Sequence, residues 1–390
     1  MKKLLPAIKC LCCSQEISES AAFKSVYVSS DSHSIINAEF DASSCEYCGH
    51  IFKIVTADLR YKTKLLYDNY RLNNQSKHNA EQKILGHDGC FKSRTDHLLR
   101  ALESQGIYID KNSNILDYGC GDGITLENLQ SKNYRNLSGY DPNFKKSNGS
   151  LNDRGFDITN SFDNFKTNFD FILSVHCLEH VDKTSQFFKD LHKVLKEDGT
   201  VIIQVPNIHC NPVDFLIYDH FHHFSIKSLS CLSEKQGFKV LYCGNLVNQK
   251  EITIILKKPS TFFSLNLKNE IDASKTSIVK TLPEIKAVLR ENEEKFARIR
   301  RFLEKERLKA FIFGSSITAA IATGYLSGLI EGYIDEDQNR EGQTFHKKPI
   351  ISPNSKIDIP VILPIPEELR RRIIYSYGFN KNYSNANLSV

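Results

Sequence analysis

The stretch NILDYGCGDGITLENLQ, residues 114–130, decides the fold, because it joins a strand, a glycine turn and the start of a helix. Ile115 and Leu116 belong to an apolar run that ends at Asp117. The glycines that follow let the backbone pass close to a ligand with no side chain between them. Their G-x-G-x-G spacing differs from the dinucleotide fingerprint, and no Lys-Ser/Thr ending of a phosphate-binding loop follows. The stretch therefore predicts a ligand-binding turn of another kind.

Strands and helices continue to alternate after this turn. A second strand, NLSGYD, ends at Asp141, where an acidic side chain can bind two ribose hydroxyls. FDFILSVHCLEH is typical of a strand and turn, TSQFFKDLHKVL of an amphipathic helix, and GTVIIQVPN of another strand. GFKVLYCG and EITIILKK then form a late strand pair. The alternation predicts an α/β fold with a doubly wound, mainly parallel sheet.

Four of these segments resemble, in order, the motifs of class I S-adenosylmethionine-dependent methyltransferases. They are ILDYGCGDG, GYDPN, FDFILSVHCLEHV and LKEDGTVIIQVPN, and the resemblance covers residues 105–258. Such a cofactor has no phosphates, which agrees with a turn that lacks an anion cradle. The resemblance implies that the methionine end of the cofactor is held by Asp117, Gly119 and Gly121.

The same resemblance implies three further cofactor contacts. Asp141 would take the ribose hydroxyls, and Asp157, in GFDITN, would lie near the adenine. His176 follows the fourth strand of the motif series and would line the cofactor pocket through its backbone.

Five of the 11 cysteines lie within the first 48 residues. CLCC and CEYCG each contain a C-x-x-C pair, and each pair can sit on a tight turn that points both sulfurs at one ion. In a reducing compartment this pattern favours metal over disulfide. Free thiols near an unstructured end are the alternative, and Cys12 could replace either cysteine of the first pair. We expect a structural zinc ion bound by Cys10, Cys13, Cys45 and Cys48.

The stretch IYDHFHHFS, residues 217–225, follows the fifth strand of the motif series, where such a sheet opens its substrate cleft. An aspartate beside a histidine can form a general base, because the carboxylate orients the imidazole and stabilises its charged form. We expect Asp219 to orient His220 in this role. One alternative is an aromatic face packed under a lid. Another is a metal site made of His209, Cys210, His220 and His222.

The order of segments is similar to a narrower family, the zinc-containing C-methyltransferases of nucleotide-linked keto-deoxy sugars. That family has the motif Tyr-His-Glu-His-x-x-Tyr-Phe-Ser after the fifth strand. Aligned on residues 224–225, Asp219 matches its glutamate and His220 its base, whereas Tyr218 and His223 depart from it.

This resemblance also implies that His180 lies beside the sugar and that a tyrosine before the core contributes. Tyr70 is the nearest candidate, and Tyr67 is the alternative. The function implied is S-adenosylmethionine-dependent C-methylation through an enolate. An O- or N-methyltransferase acting on a glycan or a small metabolite, and a non-catalytic binding scaffold, are the other hypotheses.

The C-terminal third repeats a strand–turn–helix pattern in KAFIFGSSITAAIATGYL. Gly314, Ser316 and Ala319 have the spacing of a dinucleotide fingerprint, with two of the three glycines replaced, and Asp335 ends the next strand. We expect a Rossmann-like domain that closes over the nucleotide end of the substrate; a second cofactor is the alternative. The predicted segments are a zinc module (1–55), a helical linker or lid (56–104), the methyltransferase core (105–258), a linker (259–280), the C-terminal helix and domain (281–380), and a disordered tail (381–390).

The composition of the chain limits the classes of molecule that we expect it to bind. A net charge of +5 is small for 390 residues and lacks the clustered basic face that nucleic-acid binding usually requires. No apolar run reaches the length of a membrane span. The start, MKKLLPAIKCLCC, imitates a signal peptide, but Pro6 and Lys9 interrupt its apolar stretch. We expect a cytoplasmic protein whose partner is a small-molecule substrate, with no nucleic-acid or membrane partner.

Overall fold

The structure is a computed structural model that describes residues 3–30, 33–68, 81, 83–144, 155–259, 281–365 and 367–379. Within these ranges the chain forms three five- to seven-stranded sheets and one small hairpin. The predicted tail and nearly all of the predicted linker before the C-terminal helix lie outside the described residues.

The N-terminal sheet is antiparallel and carries the cysteine pairs in its turns. Its first four strands are β1 (Lys3–Lys9), β2 (Glu16–Val28), β3 (Ile35–Ser44) and β4 (Ile51–Lys53). One C-x-x-C pair lies between β1 and β2, and the other lies between β3 and β4. The antiparallel pairing therefore brings both turns to the same end of the sheet.

The predicted helical segment contains two helices and a hairpin. Its elements are α1 (Ala57–Asp68), β5 (Lys83–Leu85), β6 (Phe91–Ser93) and α2 (Arg94–Ser104). The hairpin turn contains Gly89 in the left-handed region, at a φ of 71°. Ser93 caps α2 by accepting a hydrogen bond from the backbone N–H of Asp96.

The central sheet has seven strands in the order β13-β14-β11-β10-β7-β8-β9. Only the pairings of β14 are antiparallel, so the predicted doubly wound α/β core is confirmed. The elements are β7 (Asn114–Tyr118), α3 (Ile124–Ser131), β8 (Asn136–Tyr140), β9 (Asp157–Thr159), β10 (Phe169–Val175), α4 (Thr184–Val194), β11 (Leu195–Pro206), β12 (His222–His223), α5 (Ile226–Lys235), β13 (Lys239–Gly244) and β14 (Glu251–Lys257).

Helices cover both faces of this sheet, because alternate residues of its strands point to opposite sides. In β11, Val201 and Ile203 pack with Phe187 of α4, whereas Ile202 packs with the group that contains Leu126 of α3. Each fully buried side chain of this size contributes about 1.5–3 kcal/mol. The two cores hold the carboxyl ends of β7, β8 and β10 at one edge of the sheet.

The C-terminal segment forms a smaller sheet in the order β17-β18-β16-β15-β19. Its elements are α6 (Leu282–Lys305), β15 (Ala310–Phe313), α7 (Ile317–Tyr325), β16 (Ile330–Ile334), β17 (Thr344–Phe345), β18 (Lys348–Ile351), β19 (Val361–Ile362) and α8 (Glu367–Tyr377). The four strands β15, β16, β18 and β19 are parallel, as a Rossmann-like domain requires.

The N-terminal sheet and the C-terminal helices share one hydrophobic core. Phe23 and Phe40 of the sheet belong to the same buried group as Ile285 and Leu289 of α6. The two ends of the chain therefore pack together beside the central domain. In the described part of the chain, no helix combines the length and the apolar character that crossing a bilayer requires.

Candidate active site

The glycine turn after β7 needs glycine for two reasons. Gly119, Gly121 and Gly123 all have positive φ, at 85°, 53° and 88°, where other residues are strained. In addition, a Cβ on Gly119 would lie 2.4 Å from Sγ of Cys177. The turn can therefore pass close to a bound molecule only without side chains at these positions.

Asp141 lies directly beside this turn. Its Oδ2 accepts the backbone N–H of Gly121 at 3.1 Å, and its Oδ1 accepts the N–H of Asn143 at 2.8 Å. Burial raises the pKa of Asp141, and these two backbone donors offset part of that rise. Each oxygen keeps capacity for a further donor, which suits a pair of ribose hydroxyls.

Asp117, at the end of β7, is almost fully buried. Burial, together with the nearby carboxylates of Glu81 and Asp141, raises its pKa to about 7. A buried carboxyl with this pKa is stabilised as the anion by a cationic partner. The ammonium of a bound methionine group would supply such a partner.

His176 holds an ion network at the end of β10, with a positive φ of 51°. Its Nδ1 lies 3.1 Å from Oε1 of Glu179, and its Nε2 lies 3.2 Å from Oε1 of Glu251. Glu251 is also bound by Arg94 at 2.8 Å. Burial and Arg94 lower the pKa of His176, but the two glutamates outweigh them and raise it to about 9. The side chain is thus occupied, and only its backbone is left to line a pocket.

Asp157 lies at the wrong end of its strand for a contact to adenine. The side chain is exposed, and β9 begins at this residue rather than ending there. The cofactor edge is marked by the other end of β9, where Thr159 O accepts the N–H of Asp141 at 3.1 Å. Asn160 and Ser161 follow β9 at that edge. The structure therefore corrects the predicted place of Asp157.

His220 is oriented by Asp214 and not by Asp219. Its Nδ1 lies 2.7 Å from Oδ1 of Asp214, and Oδ2 of the same carboxylate lies 2.5 Å from Nδ1 of His223. All three side chains are buried. Burial lowers the pKa of His220, but Asp214 outweighs it, so the pKa is raised overall. The 3₁₀ turn Pro212–Leu216 brings Asp214 back onto the histidine, which sequence adjacency could not indicate.

Asp219 instead ties the histidine loop to the N-terminal sheet. Its Oδ1 accepts the N–H of Ser30 at 2.9 Å, and its Oδ2 accepts the hydroxyl of the same serine at 2.5 Å. Tyr67 of α1 also donates to Oδ2 at 3.3 Å. The prediction that Asp219 orients the base is therefore wrong. Its carboxylate instead connects the histidine loop to Ser30 and Tyr67.

His180 and Tyr67 complete the cluster. His180 lies in the 3₁₀ turn Leu178–His180 after β10, and its Nδ1 is 3.0 Å from the Tyr67 hydroxyl. The rings of His180 and His220 are perpendicular, with centroids 4.5 Å apart. Burial and the charge on His220 lower the pKa of His180, which favours its neutral form. Tyr70, the nearest tyrosine by sequence, lies outside the described residues, whereas the alternative Tyr67 lies in the site.

The alternative metal site of His209, Cys210, His220 and His222 is not formed. In the described ranges, the groups of possible ligands around His220 contain Glu179, His180, Asp214 and His223 instead. His222 points towards the cysteine cluster, with Nδ1 3.3 Å from Nε2 of His50.

Sequence reasoning missed Asp214, Glu179 and Lys53 at this site. Asp214 is six residues from its histidine, and Lys53 is more than 150 residues from the carbonyls that it binds. Glu179 could have been found from the sequence, because it is a charged residue between two histidines just after an apolar strand. The structure shows that its side chain is fully buried.

The four predicted cysteine ligands converge at the end of the N-terminal sheet. Their sulfur atoms all lie within 4.8 Å of one another, with Cys10 to Cys48 at 3.6 Å and Cys13 to Cys45 at 3.4 Å. Tetrahedral zinc–thiolate bonds of about 2.3 Å place sulfurs about 3.8 Å apart, so the donor set fits this metal. Cys12 lies on the other side of Cys10, in a second group with His50.

The cysteine cluster is joined to the histidine loop. Strand β12, which is part of that loop, pairs with β4 through His222–Phe52 and His223–Ile51. The hydroxyl of Ser225 donates to the carbonyl of Cys48 at 2.6 Å. The second cysteine turn is thus a direct support of the loop that carries His220.

Comparison with protein families matches residues 91–242 to the family described as "Methyltransferase domain". This range runs from β6 into β13 and contains the glycine turn, Asp141 and the histidine loop. No curated protein sequence matches the chain. Residues 91–242 therefore match a methyltransferase domain, and the protein is an enzyme that carries this domain.

Solved structures that are similar to this chain include 1,6-didemethyltoxoflavin-N1-methyltransferase from Burkholderia thailandensis, with S-adenosylhomocysteine bound (16% identity, TM-score 0.33, covering 42% of this chain and 76% of that chain). A second is an S-adenosylmethionine-dependent methyltransferase from Clostridium acetobutylicum (16%, 0.33, 42% and 90%). A third is magnesium protoporphyrin IX methyltransferase from Synechocystis, with S-adenosylmethionine bound (12%, 0.32, 42% and 77%). Scores this low carry no weight alone, so the assignment rests on the family match.

Proposed function

We propose that the enzyme methylates a carbon atom of a nucleotide-linked keto-deoxy sugar, by removing a proton beside the ketone. The observation that carries this proposal is the buried Asp214–His220 pair, with Nδ1 of the histidine 2.7 Å from the carboxylate. An imidazole held in this way keeps Nε2 as the basic nitrogen and gains stability on protonation. Removal of a proton from a carbon atom next to a ketone requires such a base.

The position of the pair relative to the glycine turn supports the same reaction. Strand β10 lies next to β7 in the sheet, so the turn after β10 and the glycine turn share one edge. Glu179 in the turn after β10 accepts the N–H of Phe221 through its backbone carbonyl at 2.8 Å. His220, one residue earlier, therefore lies at the same edge of the sheet as the glycine turn, where the methyl donor would bind.

The proton transfer uses residues of this cluster. Nε2 of His220 takes the proton, the electron pair of the broken C–H bond moves to the ketone oxygen, and Asp214 stabilises the imidazolium. The Tyr67 hydroxyl, which donates to Asp219 at 3.3 Å in the free protein, would turn its proton to the enolate oxygen, and His180 at 3.0 Å would hold this hydroxyl in place. General-base catalysis of this kind typically contributes about 10²–10⁴ in rate.

S-Adenosylmethionine, when bound, supplies a sulfonium methyl whose transfer to carbon breaks the S–CH₃ bond and leaves a neutral thioether. Asp117 and the glycine turn would hold its methionine end, and Asp141 would hold its ribose. The turn that a Cβ would block and the free capacity of Asp141 both fit this molecule. Orienting carbon and methyl in one site supplies much of the remaining rate.

Cofactor affinity is expected to fall as the pH drops below about 7. The pKa of Asp117 is raised to about 7 in the free protein, so acid protonates the carboxyl that the cofactor ammonium needs. The dissociation constant of S-adenosylmethionine should rise by up to about tenfold per pH unit below this value. Calorimetric titration at several pH values measures this. Asp117→Asn, the control, should bind more weakly but lose this dependence; a wild-type constant that is level down to pH 5.5 contradicts the assignment.

The cysteine cluster is proposed to hold one structural zinc ion. Metal analysis of Cys45→Ser should show loss of about one equivalent of zinc. The substitution should unfold the N-terminal sheet and should not act directly on the catalytic step. Cys90→Ser, at an exposed cysteine outside the cluster, should keep its metal and its fold. Full zinc content in Cys45→Ser would remove this residue from the ligand set.

The C-terminal domain is proposed to close over the nucleotide end of the substrate. Its dinucleotide-like turn is partly occupied by the protein, since Oδ2 of Asp335 accepts hydrogen bonds from Ser315 at 2.6 Å and from Arg340 at 3.3 Å. This favours substrate contact over a second cofactor. We place the enzyme in the cytoplasm, where thiols stay reduced, with a small molecule as its partner.

An O- or N-methyltransferase acting on a glycan or small metabolite is the second candidate, because His220 could equally deprotonate a hydroxyl. Methyl transfer from ¹³C-methyl S-adenosylmethionine to a keto-sugar nucleotide distinguishes the two. We expect the labelled methyl to couple to a ring carbon in the NMR spectrum of the product. A methyl signal coupled only through oxygen or nitrogen would overturn C-methylation. If S-adenosylmethionine does not bind at all, the remaining hypothesis is a non-catalytic binding scaffold.

A further inference from the structure

Lys53, the last residue of β4, is a buried lysine that the proposed chemistry does not use. Its side chain is 1% exposed. The ammonium lies over the ring of Phe40, 4.7 Å from its centroid, with the rings of Tyr27 and Phe215 at 5.9 and 5.8 Å. This cage of three aromatic rings stabilises a cation in an otherwise apolar place.

A lysine in this cage still costs free energy. Burial lowers the pKa of Lys53 to about 7, and the attraction of Asp219 and Asp214 offsets only part of the effect. Apolar residues of similar volume often replace buried charges without loss of stability. Stability of the aromatic core alone therefore does not explain a lysine at this position.

The hydrogen bonds of Lys53 point to a different role. Its ammonium donates to the backbone carbonyls of Ile217 and of Tyr218, the latter at 3.1 Å. Its backbone N–H donates to the carbonyl of Phe221 at 2.9 Å. A single residue thus binds both ends of the segment 217–221.

This segment carries His220 and has no regular structure of its own. It lies between the 3₁₀ turn Pro212–Leu216 and strand β12. A chain without a helix or a sheet ladder depends on such outside contacts to keep one geometry. The Nδ1 contact of His220 to Asp214 needs the backbone of this segment to stay in place.

We propose that Lys53 is a positioning residue for the base: it fixes the backbone of residues 217–221 so that His220 stays on Asp214 and faces the substrate. This inference rests on the proposed function, because the position of His220 matters only if His220 reacts. An apolar side chain would fill the aromatic cage but would leave the carbonyl of Tyr218 without its donor.

The test is Lys53→Met, which replaces the lysine by an unbranched side chain that is one atom shorter and has no N–H donor. Hydrogen–deuterium exchange of the zinc-loaded, cofactor-bound protein should show protection of residues 217–221 lowered by at least roughly tenfold, with β7 and β10 unchanged, because the variant removes the hydrogen bonds from a charged donor to two carbonyls of this segment. Misplacement of the base should lower kcat for methyl transfer by roughly tenfold. KM for the sugar nucleotide and the cofactor Kd should stay within about twofold.

Lys305→Met is the matched control, because its side chain at the end of α6 is 83% exposed; it should behave as wild type. Unchanged protection of residues 217–221 in Lys53→Met overturns the proposal, and so does an equal loss across the whole chain, which would assign Lys53 a purely structural role. If the methionine variant does not fold, Lys53→Gln takes its place; its amide is uncharged and ends one atom short of the lysine nitrogen, so protection of residues 217–221 and kcat should both fall, and wild-type values of both overturn the proposal. Wild-type protein that methylates no keto-sugar nucleotide contradicts the proposed function, while the exchange data still decide the role of Lys53.

Discussion

Replacement of His220 by alanine should lower the rate of methyl transfer to a keto-sugar nucleotide by about 10²–10⁴-fold. The physical reason is the loss of the imidazole that Asp214 holds at 2.7 Å and that lies beside the ring of His180. Single-turnover kinetics with bound cofactor measures the effect without interference from product release. The dissociation constant of S-adenosylmethionine should stay within about twofold, because His220 is not a cofactor contact.

Two further variants, Asp214→Asn and Asp219→Asn, test which carboxylate orients His220. Asp214→Asn should approach the effect of His220→Ala, because the amide no longer holds Nδ1 as a donor or stabilises the imidazolium. Asp219→Asn should have a smaller effect, since its carboxylate binds Ser30 and Tyr67 rather than the base. His87→Ala, at an exposed histidine of the β5–β6 hairpin, is the control. If Asp219→Asn is the more damaging of the two, the orientation of His220 by Asp214 is wrong.

Replacement of Gly119 by alanine should weaken binding of S-adenosylmethionine by roughly 5–150-fold. A Cβ at this position would lie 2.4 Å from Sγ of Cys177, and the backbone φ of 85° adds strain. Overpacking of this kind costs about 1–3 kcal/mol, and each 1.4 kcal/mol is a factor of about ten in Kd. Calorimetric titration of the folded variant measures it.

Gly106→Ala is the matched control for backbone strain. Gly106 has a similar φ of 75° at the end of α2, but a Cβ there would meet nothing within 4 Å. This variant should lose some stability and keep the wild-type cofactor Kd. The double variant Gly119→Ala/Cys177→Ala removes the clash and should recover part of the affinity. Wild-type binding by Gly119→Ala alone would mean that the turn does not hold the cofactor.

The central domain could be predicted from sequence because its signals are local. A strand, a glycine turn and a helix within residues 114–130 report on their own short-range geometry. The same holds for the two cysteine turns, in which C-x-x-C spacing fixes where both sulfurs point. The late antiparallel strand pair also follows from two adjacent apolar runs. These features needed no knowledge of contacts between distant segments.

The partner of the base could not be predicted, because it depends on how a loop folds back. Asp219 is adjacent to His220 in sequence, but successive side chains of an irregular segment need not point the same way. A 3₁₀ turn places Asp214 on the imidazole instead. Likewise, Asp157 was misplaced because strand boundaries read from sequence are uncertain by about two to four residues, which is as long as the whole of β9.

The joining of the two ends of the chain also lay beyond sequence reasoning. Pairing of β12 with β4 connects residues that are some 170 positions apart. The shared core of the N-terminal sheet and α6 depends on side chains of matching shape rather than on a motif. Both features place the cysteine turns and Lys53 behind the loop that carries His220.

Proton exchange tests the central claim most directly: that His220, at the cofactor edge of the sheet, removes a proton from carbon. The enzyme is incubated with a keto-sugar nucleotide in deuterated water and no methyl donor, and deuterium at the carbon beside the ketone is followed by NMR. The account predicts exchange by the wild-type enzyme and its loss in His220→Ala. Exchange that continues at the wild-type rate in that variant would contradict it.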